Sequence, residues 1–127
     1  MVEKILISSG SPFEQSVGFS RAVRVDDRVL VAGTAPIWSD GGVDPEPGAQ
    51  AARCLEIIGQ ALEDAGASFD DVVRTRTYLT DAADWEAVAA EHGRVFSEIR
   101  PAATMVVVVG MLDPRWKVEM EAEAVIG

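Results

Sequence analysis

The segment Lys117 to Ile126 alternates without interruption, with Val118, Met120, Ala122, Ala124 and Ile126 apolar and Glu119, Glu121 and Glu123 acidic between them. Period-two patterning of this kind marks a half-buried β-strand, because successive side chains leave opposite faces of a sheet. Just before it, residues 103–109 are almost continuously apolar, which predicts a strand buried on both faces. A chain that ends in this way is committed to a sheet. One face of that sheet carries an acidic row.

The rest of the sequence supplies the other layer. Lys4 to Ile7 is a short apolar strand, followed by turn residues from Ser8 to Pro12. Ser20–Val25 and Arg28–Ala32 read as a hairpin closed by Asp26-Asp27, and Gly33-Thr34-Ala35-Pro36 ends its second strand. Residues 38–48, rich in glycine and proline, read as a surface loop. A helix is predicted from Pro47 or Gly48 to Ala65. Ala51, Leu55, Ile58 and Leu62 fall on one face, widened by Cys54 and Ala61, and Gly66 stops it.

Phe69 to Leu79 reads as a strand, with Val73, Thr75, Thr77 and Leu79 on one face and Arg74, Arg76, Tyr78 and Thr80 on the other. Asp84 is expected to cap a second helix from Trp85 to Glu98, with Trp85, Val88, Ala89, His92, Val95 and Phe96 turned inward. Three strands, helix, strand, helix and two strands make an α+β fold, a six-stranded mixed sheet with two helices packed on one face. The opposite sheet face then exposes apolar area, and association with further copies covers it economically.

Length and composition agree with one domain spanning residues 1–127. The chain is 48% apolar and 25% charged, ordinary for a globular protein, and its net charge of −10 comes from 21 acidic against 11 basic residues. That balance repels phosphate backbones, and no basic stripe interleaved with aromatics is present, so nucleic-acid binding is not expected. The one cysteine, Cys54, forms no disulfide within the chain and has no Cys/His cluster beside it, so a buried thiol and no metal are expected. The apolar run at the start is short for a signal peptide, and no stretch reaches the ~18 apolar residues of a membrane span. A cytoplasmic protein with no membrane association is the expectation.

Four stretches carry a resemblance: Arg28-Val-Leu-Val-Ala-Gly-Thr-Ala-Pro36, Asp71-Val-Val-Arg-Thr-Arg-Thr-Tyr-Leu-Thr-Asp81, Ile99-Arg-Pro-Ala-Ala-Thr-Met105 and Val118-Glu-Met-Glu-Ala122. In this order and spacing, from about Ser16 to the C-terminus, the chain resembles the Rid superfamily, also called the YjgF or L-PSP endoribonuclease-like family. The resemblance implies a chorismate-mutase-like homotrimer with small-molecule clefts between subunits and no cofactor. Deaminating members hydrolyse enamines and imines derived from amino acids. In them an arginine after Pro-Ala grips the substrate carboxylate, a glutamate on the last strand positions water, and backbone near a Gly-x-x-Pro turn completes the cleft.

Carried over by position, the resemblance makes Glu119 the water-positioning glutamate and Gly33 the turn glycine, with Thr34 beside it. Ala103 stands where the arginine does, Phe19 where a tyrosine does, and Met105, next to Thr104, where a cysteine offers its backbone amide. The expected ligand-binding set is therefore Phe19, Gly33, Thr34, Ala103, Thr104 and Met105, with Glu119 catalytic. This is the pattern of a branch lacking the deaminase arginine.

Two roles are open to Glu119, holding water or pairing across strands with Arg74 or Arg76. Those arginines are open to two roles in turn, cross-strand ion pairs or a substitute anchor for the ligand. Arg100 and Arg115 flank the cleft in sequence only, and His92 reads as a core or interface histidine. Two functions follow. One is a deaminase-like hydrolase of imines, enamines or related metabolites. The other is a trimer that binds a metabolite or partner without turnover. The acidic charge and the single histidine speak against an endoribonuclease.

Overall fold

The structure, a computed structural model, describes residues 2–127. Its strands are β1 (Lys4–Ile7), β2 (Ala22–Val25), β3 (Arg28–Thr34), β4 (Val72–Leu79), β5 (Ala102–Val107) and β6 (Val118–Val125); its two main helices are α1 (Pro47–Asp64) and α2 (Trp85–Phe96). The six strands form one mixed sheet in the order β1-β2-β3-β6-β4-β5. All neighbours are antiparallel except β4 and β5, which run parallel across the α2 connection. The expected α+β architecture is the one observed. Among the described residues no helix is long and apolar enough to cross a membrane.

The hairpin turns at Asp26-Asp27, with Val25 opposite Arg28 and Asp26 at φ +54°. The α1 stripe behaves as the spacing requires: Ala51, Cys54, Leu55, Ile58, Ala61 and Leu62 are all buried, against the inward residues Val118, Met120, Ala122 and Ala124 of β6. α1 closes in a full Schellman motif. Gly66, at φ +86°, donates to the Glu63 carbonyl at 2.9 Å, and the Ala67 amide reaches the Leu62 carbonyl at 2.8 Å. Arg24 caps the same end through the Ala65 carbonyl at 2.8 Å, and its guanidinium fills the place a Cβ on residue 66 would take.

Five local expectations are corrected. Phe69–Asp71 is a 3-10 turn held by a Ser68–Asp71 capping box, and the strand begins only at Val72. A register shift between Val72 and Arg74 then turns Val73 outward, away from Thr75, Thr77 and Leu79. Asp84 makes no side-chain cap; Asp81 caps the preceding 3-10 turn by accepting from the Ala83 amide at 2.9 Å. That extra turn carries Trp85 out to 54% exposure. Last, β5 is an edge strand, and it is exposed along most of its length in the single copy.

Candidate functional site

β6 lies between β3 and β4, so each of its outward acids meets a fixed neighbour. Glu119 stands opposite Tyr78, Glu121 opposite Arg76 and Glu123 opposite Leu30. Two of the three are spoken for. Arg76 Nη1 lies 3.4 Å from both Glu121 and Glu123, and the Tyr78 hydroxyl donates to Glu121 at 2.7 Å. Arg28 adds a looser contact to Glu123 at 3.9 Å. Arg76 is thus a cross-strand ion-pair residue, and Arg74 donates to the Thr104 hydroxyl on β5 at 3.3 Å.

Glu119 is different. It is half-buried, and burial raises its pKa above the ordinary carboxylate value, with the charge on Glu121 adding to the rise and the positive charge of Arg21 opposing it. Neither Arg74 nor Arg76 pairs with it. What faces its carboxylate is backbone: a Cβ on Gly33 would sit 3.7 Å from Oε2. Gly33 belongs to a bulge, because the β3–β6 register shifts between Val31 and Thr34 and lifts Ala32 and Gly33 out of the ladder.

The bulge is clamped from behind by a residue that sequence reasoning passed over. Arg21 Nη1 donates to the Gly33 carbonyl and to Thr34 Oγ1, both at 3.0 Å, while the guanidinium carbon lies 5.4 Å from the centre of the Phe19 ring. Thr34 is fully buried, and its hydroxyl donates onward to the Ala32 carbonyl at 2.8 Å. Cys54 lies beneath, its thiol 3.2 Å from the Thr34 carbonyl and its pKa pushed up by burial, so it stays protonated and inert. In the sequence Arg21 sits in the alternating run from Ser20, and nothing beside it marks it as a site residue.

Phe19, Gly33, Thr34 and Glu119 therefore gather at one place. Ala103, Thr104 and Met105 do not join them. They pair with Thr75, Arg76 and Thr77 on the far side of β4, roughly 10 Å away at the usual strand spacing. Ala103 and Met105 also share the face of Thr75 and Thr77, the one the helices cover, opposite to Glu119. Ala103 is exposed, and Met105 packs against the core. Within one copy the expected site residues thus fall into two separate groups, on either side of β4.

Two grooves open on this copy. One, of about 520 Å³, runs between Ile7–Ser9, Arg21 and the α1 residues Arg53 and Glu56. The other, of about 400 Å³, lies on the open sheet face among Phe19, Val23, Leu30, Arg76 and Glu121. Glu119 lines neither. Of the remaining candidates, Arg115 is taken up by Asp113 at 2.8 Å and by the Gly41 carbonyl at 3.1 Å. Arg100 is exposed, at φ +56°. His92 bonds Thr75 at 2.8 Å under α2, its pKa lowered by burial. Among the described residues no cluster of His, Cys, Asp and Glu is placed to hold a metal.

Comparison with known proteins follows the same lines. Residues 10–126 match the family described as Endoribonuclease L-PSP. An uncharacterised protein of Streptomyces coelicolor is 39% identical over 124 residues, covering 95% of this chain and 91% of its own length. The 3-aminoacrylate deaminase RutC of Acinetobacter baylyi is 30% identical over 126 residues, 98% of each chain. The crystal structure of a YjgF-family protein from Mycobacterium tuberculosis superposes with a TM-score of 0.90 at 43% identity, covering 98% of this chain and 100% of that one. Sequence match and backbone agree over nearly the whole length, and this chain belongs to the L-PSP endoribonuclease family, the YjgF or Rid group.

Proposed function

We propose that the protein is a hydrolase of imines and enamines, working in clefts between the copies of a homotrimer, with Glu119 as the group that holds and deprotonates water. Glu119 carries this reading. It is a half-buried carboxylate with no ion-pair partner among the described residues, raised in pKa by burial and set against bare backbone at Gly33. A raised carboxylate is a better base, and its backbone wall leaves room for water. The deaminase activity named for the RutC relative supports the reaction class.

The chemistry is an addition followed by an elimination. Water attacks the carbon of the C=N bond, its proton passes to Glu119, and the C=N electron pair moves to nitrogen. The same carboxyl hands that proton to nitrogen to give a carbinolamine, then takes the hydroxyl proton and passes it to the amino group, and ammonia leaves as the carbonyl forms. An enamine enters by first shifting its proton to carbon. The cleft needs a second wall, and β5 of a neighbouring copy supplies it: Val106 and Val107 are exposed large apolar residues in the lone copy, on a strand whose outer edge is unpaired.

A second reading, binding without turnover, is favoured by one observation: β5 carries no charged residue, and Ala103 offers a methyl group. The two readings part on one experiment. 2-Aminoacrylate or an imino acid generated in situ is hydrolysed faster with the protein than without it, and Glu119→Gln abolishes the difference. Ala103→Arg, which restores a charge-assisted carboxylate contact, accelerates turnover of these substrates about tenfold or more. A background rate in both the native protein and Ala103→Arg rejects the hydrolase and leaves the binding protein.

A further inference from the structure

We propose that Arg21 is a positioning residue of this site: it clamps the Gly33–Thr34 bulge against Glu119 and places a fixed positive charge behind that carboxylate. The proposal rests on the hydrolase reading and adds a residue that reading does not use. Geometry carries it. A single guanidinium nitrogen, Nη1, reaches both bulge residues at 3.0 Å, and the next group beyond Gly33 is the Glu119 carboxylate. Guanidinium, bulge and carboxylate form a stack in which Gly33 is the spacer. No ion pair joins the two charges, so Arg21 acts through the backbone and through space.

The charged groups around Glu119 leave Arg21 as its counter-charge. On β4, Tyr78 stands beside Glu119 but gives its hydroxyl to Glu121, and Arg76 is divided between Glu121 and Glu123. On β6 the nearest charge is Glu121, which repels. β3 contributes no titratable side chain at the bulge, and Cys54 of α1 stays neutral. The other acid that Arg21 feels is Glu14, in the short helical turn Glu14–Gly18. Burial and Glu121 push the Glu119 pKa up, and Arg21 is what holds it down.

The Arg21 Nε has no hydrogen-bond partner among the described residues, and both hydrogen bonds to the bulge come from Nη1. A guanidinium keeps its charge at any working pH, and its fixed geometry holds two acceptors on one nitrogen.

Carboxyl-carbon NMR titration of protein labelled at glutamate tests this, with the Glu119 resonance identified by its loss in Glu119→Gln. In Arg21→Met the Glu119 midpoint moves to higher pH, the acid limb of the kcat profile moves with it, and kcat falls about tenfold at nearly constant KM, as misplacement of a reacting group predicts. Arg21→Lys keeps the charge and loosens the clamp, so its midpoint stays near the native one while kcat falls several-fold. An unmoved Glu119 midpoint in folded Arg21→Met overturns the proposal. If that variant does not fold, an unchanged kcat in Arg21→Lys overturns the clamp. The NMR readout does not need turnover, so a failure of the hydrolase reading is seen separately, as a native protein without activity.

Discussion

The corner around Glu119 on β3 and β6, proposed as one half of a site, and the β5 edge, proposed as the other, are made by different means. The first is finished within one copy: a bulge aims backbone at Glu119, Arg21 braces the bulge, and α1 fills the space behind. The second is a sheet edge, with Ala103 and Thr104 exposed, paired to β4 on one side and to no strand on the other. A carboxylate raised in pKa by burial needs a rigid surround, which strands and a packed helix provide. A ligand wall contributed by a neighbour needs only to be present and correctly shaped. Under the proposed function, the contrast places reactivity in the monomer fold and leaves selectivity to the surface where copies meet.

The largest effect that sharpens this comparison belongs to Glu119. Glu119→Gln is expected to lower kcat by roughly 100- to 10,000-fold, the usual worth of a positioned base. The same change is expected to raise the melting temperature at neutral pH. A carboxyl whose folded pKa is raised above its unfolded value contributes stability at low pH and loses it as pH rises through the folded pKa. At pH 7 the ionised Glu119 is therefore a burden on the fold, and differential scanning calorimetry of the two proteins reads the gain. An activity loss accompanied by lower stability contradicts this account of the first half-site.

Next in size is the edge strand. Val106→Asp leaves the lone copy folded, since the side chain is 42% exposed there. It is expected to weaken association by about 1.5–3 kcal/mol per buried valine contact, seen as a shift from trimer to lighter species in sedimentation velocity. An unshifted mass means that this edge is free. The smallest effect concerns His92, whose pKa is lowered by burial. Its unfolded form binds the proton more readily, so stability is full above pH ~6.5 and declines as pH falls below that value. His92→Gln flattens the decline, as equilibrium unfolding at pH 5 and pH 7 will show.

Much of the fold was legible because it is written in local periodicity. The stripe Ala51, Leu55, Ile58 and Leu62 needs only helical spacing, Gly66 needs only its freedom of φ, and the Glu119-Glu121-Glu123 row needs only alternation. The errors arose where a decision is made by distant parts of the chain. Val73 looks like its alternating neighbours until a bulge reverses it. The valines of β5 look like a buried strand because an apolar run has the same composition whether its own chain or another copy covers it. Arg21 was passed over for a related reason: nothing near it in sequence announces that the Gly33 carbonyl and Thr34, 12 and 13 residues on, will need its donor.

The claim that the two half-sites meet only between copies has a direct test by complementation. Ala103→Trp blocks one wall and Glu119→Gln disables the other, and each variant alone is expected to be inactive on an imine substrate. When the two are denatured together and refolded in equal amounts, random assembly into rings gives about a quarter of the clefts one intact half from each chain, and that fraction of native activity returns. No recovery, with mixed trimers demonstrated by mass spectrometry, contradicts the account.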